Sequence, residues 1–350
     1  MKEITDTSLF GKTGLTISPI VYGTSFLGNL YKELPWETKL TIIKEWFAAS
    51  KGTVFIDTAG KYGAGLALEI IGKGLKELGI SPDRILVSNK LGWYRVPLTT
   101  NEPTFEAGAW VNLKYDAVQK ISYEGILECW EQGCNLLGNI YKPAFVSVHD
   151  PDEFLAASQN TEDRSKRING IIDAYRALTE LRDRGEVKGI GIGAKNWHTI
   201  REIHQHVQFD WVMFANSLTL YTHPREILDF MQQLSREGTG IINSAIFNAG
   251  FLTGGDYFDY RKINPASEKD RERLVWRDKF FRICETFHVQ PGDACLQFAL
   301  SPPEVNAVAL NPSKPERIQR NAKVIKTPLP EIFWDALKEH HIIDPDYPYL

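Results

Sequence analysis

The strongest constraint on this chain is a rhythm: eight short apolar runs of strand length alternate with stretches whose apolar residues recur at helical spacing. The apolar runs fall at 19–24, 54–56, 85–88, 144–148, 187–192, 211–215, 240–245 and 307–310. Helical stretches follow at 36–50, 66–78, 123–137, 168–184, 197–206 and 225–236, then a longer region at 268–288 and 291–300. Two more, at 315–325 and 330–340, close the chain. No Pro/Gly/Ser-rich linker interrupts the series, so residues 1–350 are expected to form one domain, an α/β fold of the (β/α)8 barrel type. The barrel core is expected over 18–326, with a helix and tail over 327–350. Ahead of it, two short segments around Gly11-Lys-Thr-Gly14 read as a hairpin that can plug one end of a barrel. A doubly wound sheet is the alternative, but no GxGxxG follows the first strand.

Composition narrows the partner. Lys+Arg 40 against Asp+Glu 44 gives a net charge of −4 without a long basic run, so neither nucleic acid nor an anionic membrane is indicated. No apolar run approaches the roughly 20 residues of a membrane span. A small molecule is the expected ligand, and a monomer or weak homo-oligomer the expected state. Cys129, Cys134, Cys284 and Cys295 form no CxxC pair, and the N-terminus lacks the apolar core of a signal peptide, so a cytoplasmic location with reduced thiols is expected.

Chemistry concentrates where strands end. The run Val54-Phe-Ile-Asp57-Thr-Ala-Gly-Lys-Tyr62-Gly-Ala-Gly delivers a carboxylate at a strand's C-terminal end and a phenol five residues later. Corresponding ends of later strands offer Lys90, His149, Asn196, Asn216 and Asn243-Ser244. In a barrel all of these face one mouth, where βα loops build active sites. Each alone has a plain structural reading: turn cap, solvated lysine, buried histidine. Together they compose a proton relay in which Lys90 lowers the pKa of the Tyr62 phenol, Asp57 holds Lys90 charged, and His149 orients a substrate oxygen. The hydride partner for such a relay is a nicotinamide, whose carboxamide suits Asn196 and Asn216. The His and carboxylates lack metal-ligand spacing, so no metal is expected. Two stretches, 92–122 and 251–269, are longer than a barrel connection needs and are expected to overhang the mouth as substrate lids rather than merely pack on the rim.

Asp57-Thr-Ala-x-x-Tyr62-Gly, Lys90 after the third strand and His149 after the fourth resemble the catalytic tetrad of the aldo-keto reductases, over nearly the whole chain. The resemblance implies Tyr62 as general acid/base and NAD or NADP bound without a Rossmann motif. Ser122-Tyr-Glu-Gly125, His149-Asp-Pro, Gly189-Ile-Gly-Ile-Gly193, Ala215-Asn216 and Asn243-Ser-Ala-Ile-Phe-Asn248 resemble the D-threo-aldose 1-dehydrogenase branch, with L-fucose, D-arabinose and L-galactose dehydrogenases and a pyridoxal dehydrogenase as relatives. That implies oxidation of an anomeric hydroxyl to a lactone. An NADPH-dependent aldehyde, ketone or pyridoxal reductase is the alternative, and a cofactor-sensing barrel with little turnover a further one. A sugar site should be rich in hydrogen-bonding loop residues, for which Asn101, Asn112, Tyr115 and Asn248 are the candidates.

The resemblance also implies cofactor contacts from Asn196, Asn216, Asn243, Ser244, Phe247, Asn248, Gly250 and Leu252, and from Asn311, Lys314, Arg317, Arg320 and Asn321 at the adenosine end. There are departures. Asn243 stands where many members stack a Tyr on the nicotinamide, leaving Phe247 to cover the ring, and Asn311-Pro312 replaces the Lys-Ser that often grips a 2′-phosphate. NAD is therefore favoured, although Lys314, Arg317 and Arg320 can still supply charge.

Overall fold

A computed structural model describes residues 5–259 and 261–350. A two-stranded hairpin, β1 (Ser8–Leu9) and β2 (Thr16–Ile17), precedes the barrel strands β3 (Ile20–Gly23), β4 (Val54–Ala59) and β5 (Ile85–Leu91). A second hairpin, β6 (Trp93–Pro97) with β7 (Tyr115–Gln119), stands outside the barrel. The barrel resumes with β8 (Phe145–His149), β9 (Gly189–Ala194), β10 (Trp211–Ala215) and β11 (Gly240–Ser244). A third hairpin, β12 (Tyr257–Phe258) with β13 (Arg261–Lys262), precedes the last barrel strand, β14 (Ala307–Leu310). The eight barrel strands are parallel and close in the order β3-β4-β5-β8-β9-β10-β11-β14, with β14 back on β3.

Helices fill the crossovers. They are α1 (Trp36–Ala49), α2 (Leu66–Glu77), α3 (Tyr123–Leu136), α4 (Pro151–Ala156), α5 (Thr161–Asp183), α6 (Trp197–His204), α7 (Arg225–Arg236), α8 (Glu268–Thr286) and α9 (Pro291–Leu300). After β14 come α10 (Glu316–Val324) and α11 (Glu331–Glu339). Most bounds agree with the sequence reading to within two residues. The exceptions are instructive. α4 has no counterpart in that reading, and α5 starts seven residues before the expected 168 because Asn160 caps it, its side chain accepting from the Asp163 amide. The intervening Thr161–Arg167 is too charged to show an apolar stripe. β4 and β5 each run three residues beyond their expected ends, through Asp57 and Lys90, so these two lie within strands, while His149 closes β8 as expected.

The barrel interior is stratified. Its N-terminal end is filled by Phe55, Phe145 and Trp211, all fully buried, and Phe10 of the hairpin plugs it with rings 5.9 Å from Phe55 and 5.5 Å from Phe145. The glycine-rich β9 makes this possible: a Cβ on Gly191 would run into the Trp211 indole. Above the plug the interior face turns polar. Among the described residues no helix is long and apolar enough to cross a membrane.

Candidate active site

Strand register alone brings three of the four relay groups together. Asp57 pairs with Ser88, one pleat repeat below Lys90; Lys90 pairs with Ser147, one repeat below His149. Side chains two residues apart share a face, so Asp57, Lys90 and His149 climb the inner wall in steps, as the stagger of a closed barrel requires. All three are buried at the mouth, and each has a polar or charged neighbour there. The Lys90 ammonium donates to Asp57 Oδ2 and lies 4.8 Å from the centre of the Tyr62 ring, while the Tyr62 and His149 rings meet edge to face at 5.6 Å. Tyr62 arrives from the turn after β4. That turn is clamped by glycines: Gly63 takes a φ of 62°, and a Cβ on Gly28 would come within 2.7 Å of the Tyr62 carbonyl.

The electrostatics add burial to the expected relay. Desolvation dominates at Tyr62 and pushes its pKa up to about 12; the attraction of Lys90 for a phenolate works against this and is only partly offset by Asp57. At neutral pH the hydroxyl is a proton donor: Lys90 does favour the phenolate, as expected, but burial outweighs it. Burial also works against the charge on Lys90, but the Asp57 carboxylate wins and holds the ammonium above its ordinary range. His149 is driven down to about 3, mainly by burial, and is a neutral imidazole. Its Nδ1 is buried without a hydrogen-bond partner, as is Asp57 Oδ1.

The amides expected at a cofactor separate into two groups. Asn216 sits in left-handed backbone, φ 56°, beyond β10, and both atoms of its carboxamide are buried without a partner. Such orphaned atoms are costly unless a ligand satisfies them. Asn196 and the Asn243 amino group are occupied elsewhere, while Asn243 Oδ1 is also buried without a partner. Asn196 is exposed and caps α6 through the His198 amide, whereas Asn243 is fully buried and donates to the carbonyls of Leu218 at 3.0 Å and Ala299 at 3.2 Å. Ser244 donates to the Phe214 carbonyl and Asn248 to Asp259; Phe247 is half-buried, Gly250 has a φ of 94°, and Leu252 is buried. Asn311 bonds Ser25 across the β14–β3 seam. Lys314 and Arg317 are exposed, Asn321 is half-buried, and Arg320 is paired with Asp293 at 2.7 Å.

The long stretches are ordered by anchors the sequence reading did not foresee. Arg95 on β6 grips Glu69 of α2 with two bonds, at 2.8 and 2.9 Å, and carries the 92–122 segment over Tyr62. There Trp110 lies 6.0 Å from the Tyr62 ring, backed by Phe105. The 251–269 segment is tied by Asp270, fully buried between Arg261 and Arg273. The proposed sugar donors are largely spent: Asn112 donates to Glu33, Asn248 to Asp259, and the Tyr115 ring covers the Arg95 guanidinium. Residues missed by sequence reasoning are Lys61, Glu106, Asp150 and Glu153. Lys61, 3% exposed, touches Glu106 at 2.7 Å, Asp150 at 2.8 Å and Glu153 at 3.4 Å. Only its position next to Tyr62 could have drawn notice. Among the described residues no group of three or more His, Cys, Asp or Glu is placed to hold a metal ion.

The chain belongs to the aldo/keto reductase family of oxidoreductases, whose profile matches residues 19–342, and its closed eight-stranded parallel barrel carries Tyr62, Lys90, Asp57 and His149 at one mouth. Among characterised relatives it is 27% identical over 349 residues to a pyridoxal 4-dehydrogenase of Microbacterium luteolum, covering 95% of this chain and 96% of that one. It is 25% identical over 340 residues to a D-threo-aldose 1-dehydrogenase of a Pseudomonas species (94% and 96% covered) and 22% identical over 316 residues to the L-galactose dehydrogenase of Arabidopsis thaliana (90% and 86%). The fold matches a glycerol dehydrogenase of Gluconobacter oxydans, with TM-score 0.69, 17% identity and 97% and 98% of the two chains covered. Aldo-keto reductases work with nicotinamide cofactors; the holo form of one from Bacillus halodurans superposes with TM-score 0.67 at 19% identity, covering 96% and 95%.

Proposed function

We propose that this chain is an NAD(P)-dependent dehydrogenase that oxidises the anomeric hydroxyl of an aldose of the L-fucose, D-arabinose or L-galactose type to a lactone, with Tyr62 as general acid/base. The observation behind it is the gathering of Asp57, Lys90, Tyr62 and His149 at one mouth. The orphaned carboxamide of Asn216 fits a nicotinamide amide, and Ser244, Phe247, Leu252 and the 311–321 segment would hold the rest of the dinucleotide. The bound dinucleotide supplies a hydride acceptor for the carbon bearing the hydroxyl. Tyr62 takes the hydroxyl proton, Lys90 stabilises the phenolate this requires, and neutral His149 holds the substrate oxygen by a hydrogen bond. Because burial keeps the Tyr62 proton on up to about pH 12, oxidation should accelerate as pH rises through the alkaline range while carbonyl reduction stays flat near neutrality. NAD is favoured over NADP because Asn311-Pro312 supplies no lysine and Asp293 already occupies Arg320.

A second reading is pyridoxal, whose aldehyde and adjacent hydroxymethyl close into a cyclic hemiacetal open to the same oxidation. The Trp110 and Phe105 wall above Tyr62 favours it, since an aromatic ring can stack there, and so does the 27% identical relative. The test is NAD and NADP reduction with L-fucose, D-arabinose, L-galactose and pyridoxal. Lactone formation from an aldose supports the first reading, turnover of pyridoxal alone replaces it with the second, and carbonyl reduction with NADPH alone defeats both.

A further inference from the structure

Lys61 lies at the centre of a ring of contacts that encircles the mouth. Its ammonium is buried beside the Trp93 indole, 5.1 Å from the ring centre, and takes carboxylates from two other elements: Glu106 from the 92–122 segment, and Asp150 and Glu153 from the start of α4. Each of the two nearest acids makes a second contact. The other Glu106 oxygen accepts from the indole N–H of Trp110 at 2.7 Å, and Trp110 lies against Tyr62. Asp150 Oδ2, 2.8 Å from Lys61, is also 3.4 Å from His149 Nε2. Both acids occupy left-handed backbone, φ 46° at Glu106 and 49° at Asp150, a conformation held by surrounding contacts rather than by preference.

We propose that Lys61 is a positioning residue, which fixes Asp150 against His149 and Glu106 against Trp110 so that the wall over Tyr62 and the surroundings of the His149 ring are set together. The charges facing His149 are Asp150 from α4, Lys90 from β5, Lys61 from the turn after β4 and Lys195 from the loop after β9. Only Asp150 favours a protonated imidazole. Lys61 both neutralises Asp150 and repels a charged His149, so removing its ammonium should let the His149–Asp150 pair take up a proton at higher pH.

The experiment is an NMR titration of the histidine side chains, with His149 assigned from a His149→Gln spectrum. It needs neither substrate nor cofactor, so its outcome does not depend on the proposed dehydrogenase activity. In the wild-type protein His149 should stay neutral to about pH 5, well below the ordinary imidazole midpoint near 6.5. In Lys61→Met its midpoint should rise into the range between, with an acid limb in kcat/KM at the same midpoint for whichever substrate is turned over. Lys61→Arg should restore the wild-type titration, and Lys61→Met with Asp150→Asn should return His149 to neutrality. Should Lys61→Met fail to fold, the milder Lys61→Gln in the same titration decides. A folded variant without the ammonium in which His149 titrates as in the wild type overturns the proposal, as does an arginine variant that behaves like methionine.

Discussion

The two ends of the barrel are built by the same strands and do opposite things. On β4, Phe55 faces the N-terminal plug and Asp57, two residues on, faces the mouth; on β8, Phe145 and His149 are divided in the same way. The plug is a dry cluster of Phe10, Phe55, Phe145 and Trp211, with no charge to satisfy. The mouth holds Asp57, Lys90, His149 and Lys61, buried ions and polar groups that stabilise little by themselves and survive because each has a partner. Position along one strand, not choice of strand, thus divides stability from chemistry. Substitutions at the plug should move folding and leave turnover, whereas those at the mouth should move turnover, and folding as well where they strand a buried charge.

Lys90→Met gives the largest effect and tests the mouth. It removes the cation between Tyr62 and Asp57, so turnover should fall by about 10²- to 10⁴-fold, and the unpaired Asp57 carboxylate should cost about 3–5 kcal/mol in a denaturant melt. Next, Phe10→Ala tests the plug: about 3–5 kcal/mol of stability lost, with kcat unchanged. Equal loss of kcat would break the separation of the two ends. The acid limb of stability comes third. The His149 pKa is depressed by burial to about 3 in the folded chain, below its unfolded value, so its contribution is complete above about pH 6.5 and is lost as pH falls towards 3. Melts across that window should lose on the order of a few kcal/mol, and His149→Gln should flatten the dependence. Gly191→Ala, which drives a methyl into Trp211, should destabilise by about 1–3 kcal/mol without altering KM. Smallest is Arg320→Gln, a half-exposed pair with Asp293: less than about 1 kcal/mol, with the NAD to NADP preference little changed.

The contrast between the ends also explains what was legible in the sequence. Apolar runs and helical spacing are local signals, and they place all eight strands and the hairpin plug. Asp57, Tyr62, Lys90 and His149 could be read because each closes an apolar run or follows one within a turn. Strand ends were misjudged at Asp57 and Lys90 for the same reason: a polar residue reads as the end of a buried strand, yet this barrel has a polar interior layer at its mouth. The β6–β7 hairpin was hidden because its pairing spans the loop between Pro97 and Tyr115. The Lys61 network was invisible because its partners Asp150 and Glu153 lie 89 and 92 residues away. The Tyr62 shift needed burial, which no linear pattern reports; Lys90 was visible, but the desolvation that outweighs it was not.

The most direct test of the account is Tyr62→Phe, with single-turnover hydride transfer and nicotinamide cofactor binding measured on the same sample. The account predicts hydride transfer slowed by about 10²- to 10⁴-fold with cofactor affinity nearly unchanged, because only the proton-transferring oxygen is removed. Hydride transfer at the wild-type rate in that variant would contradict it.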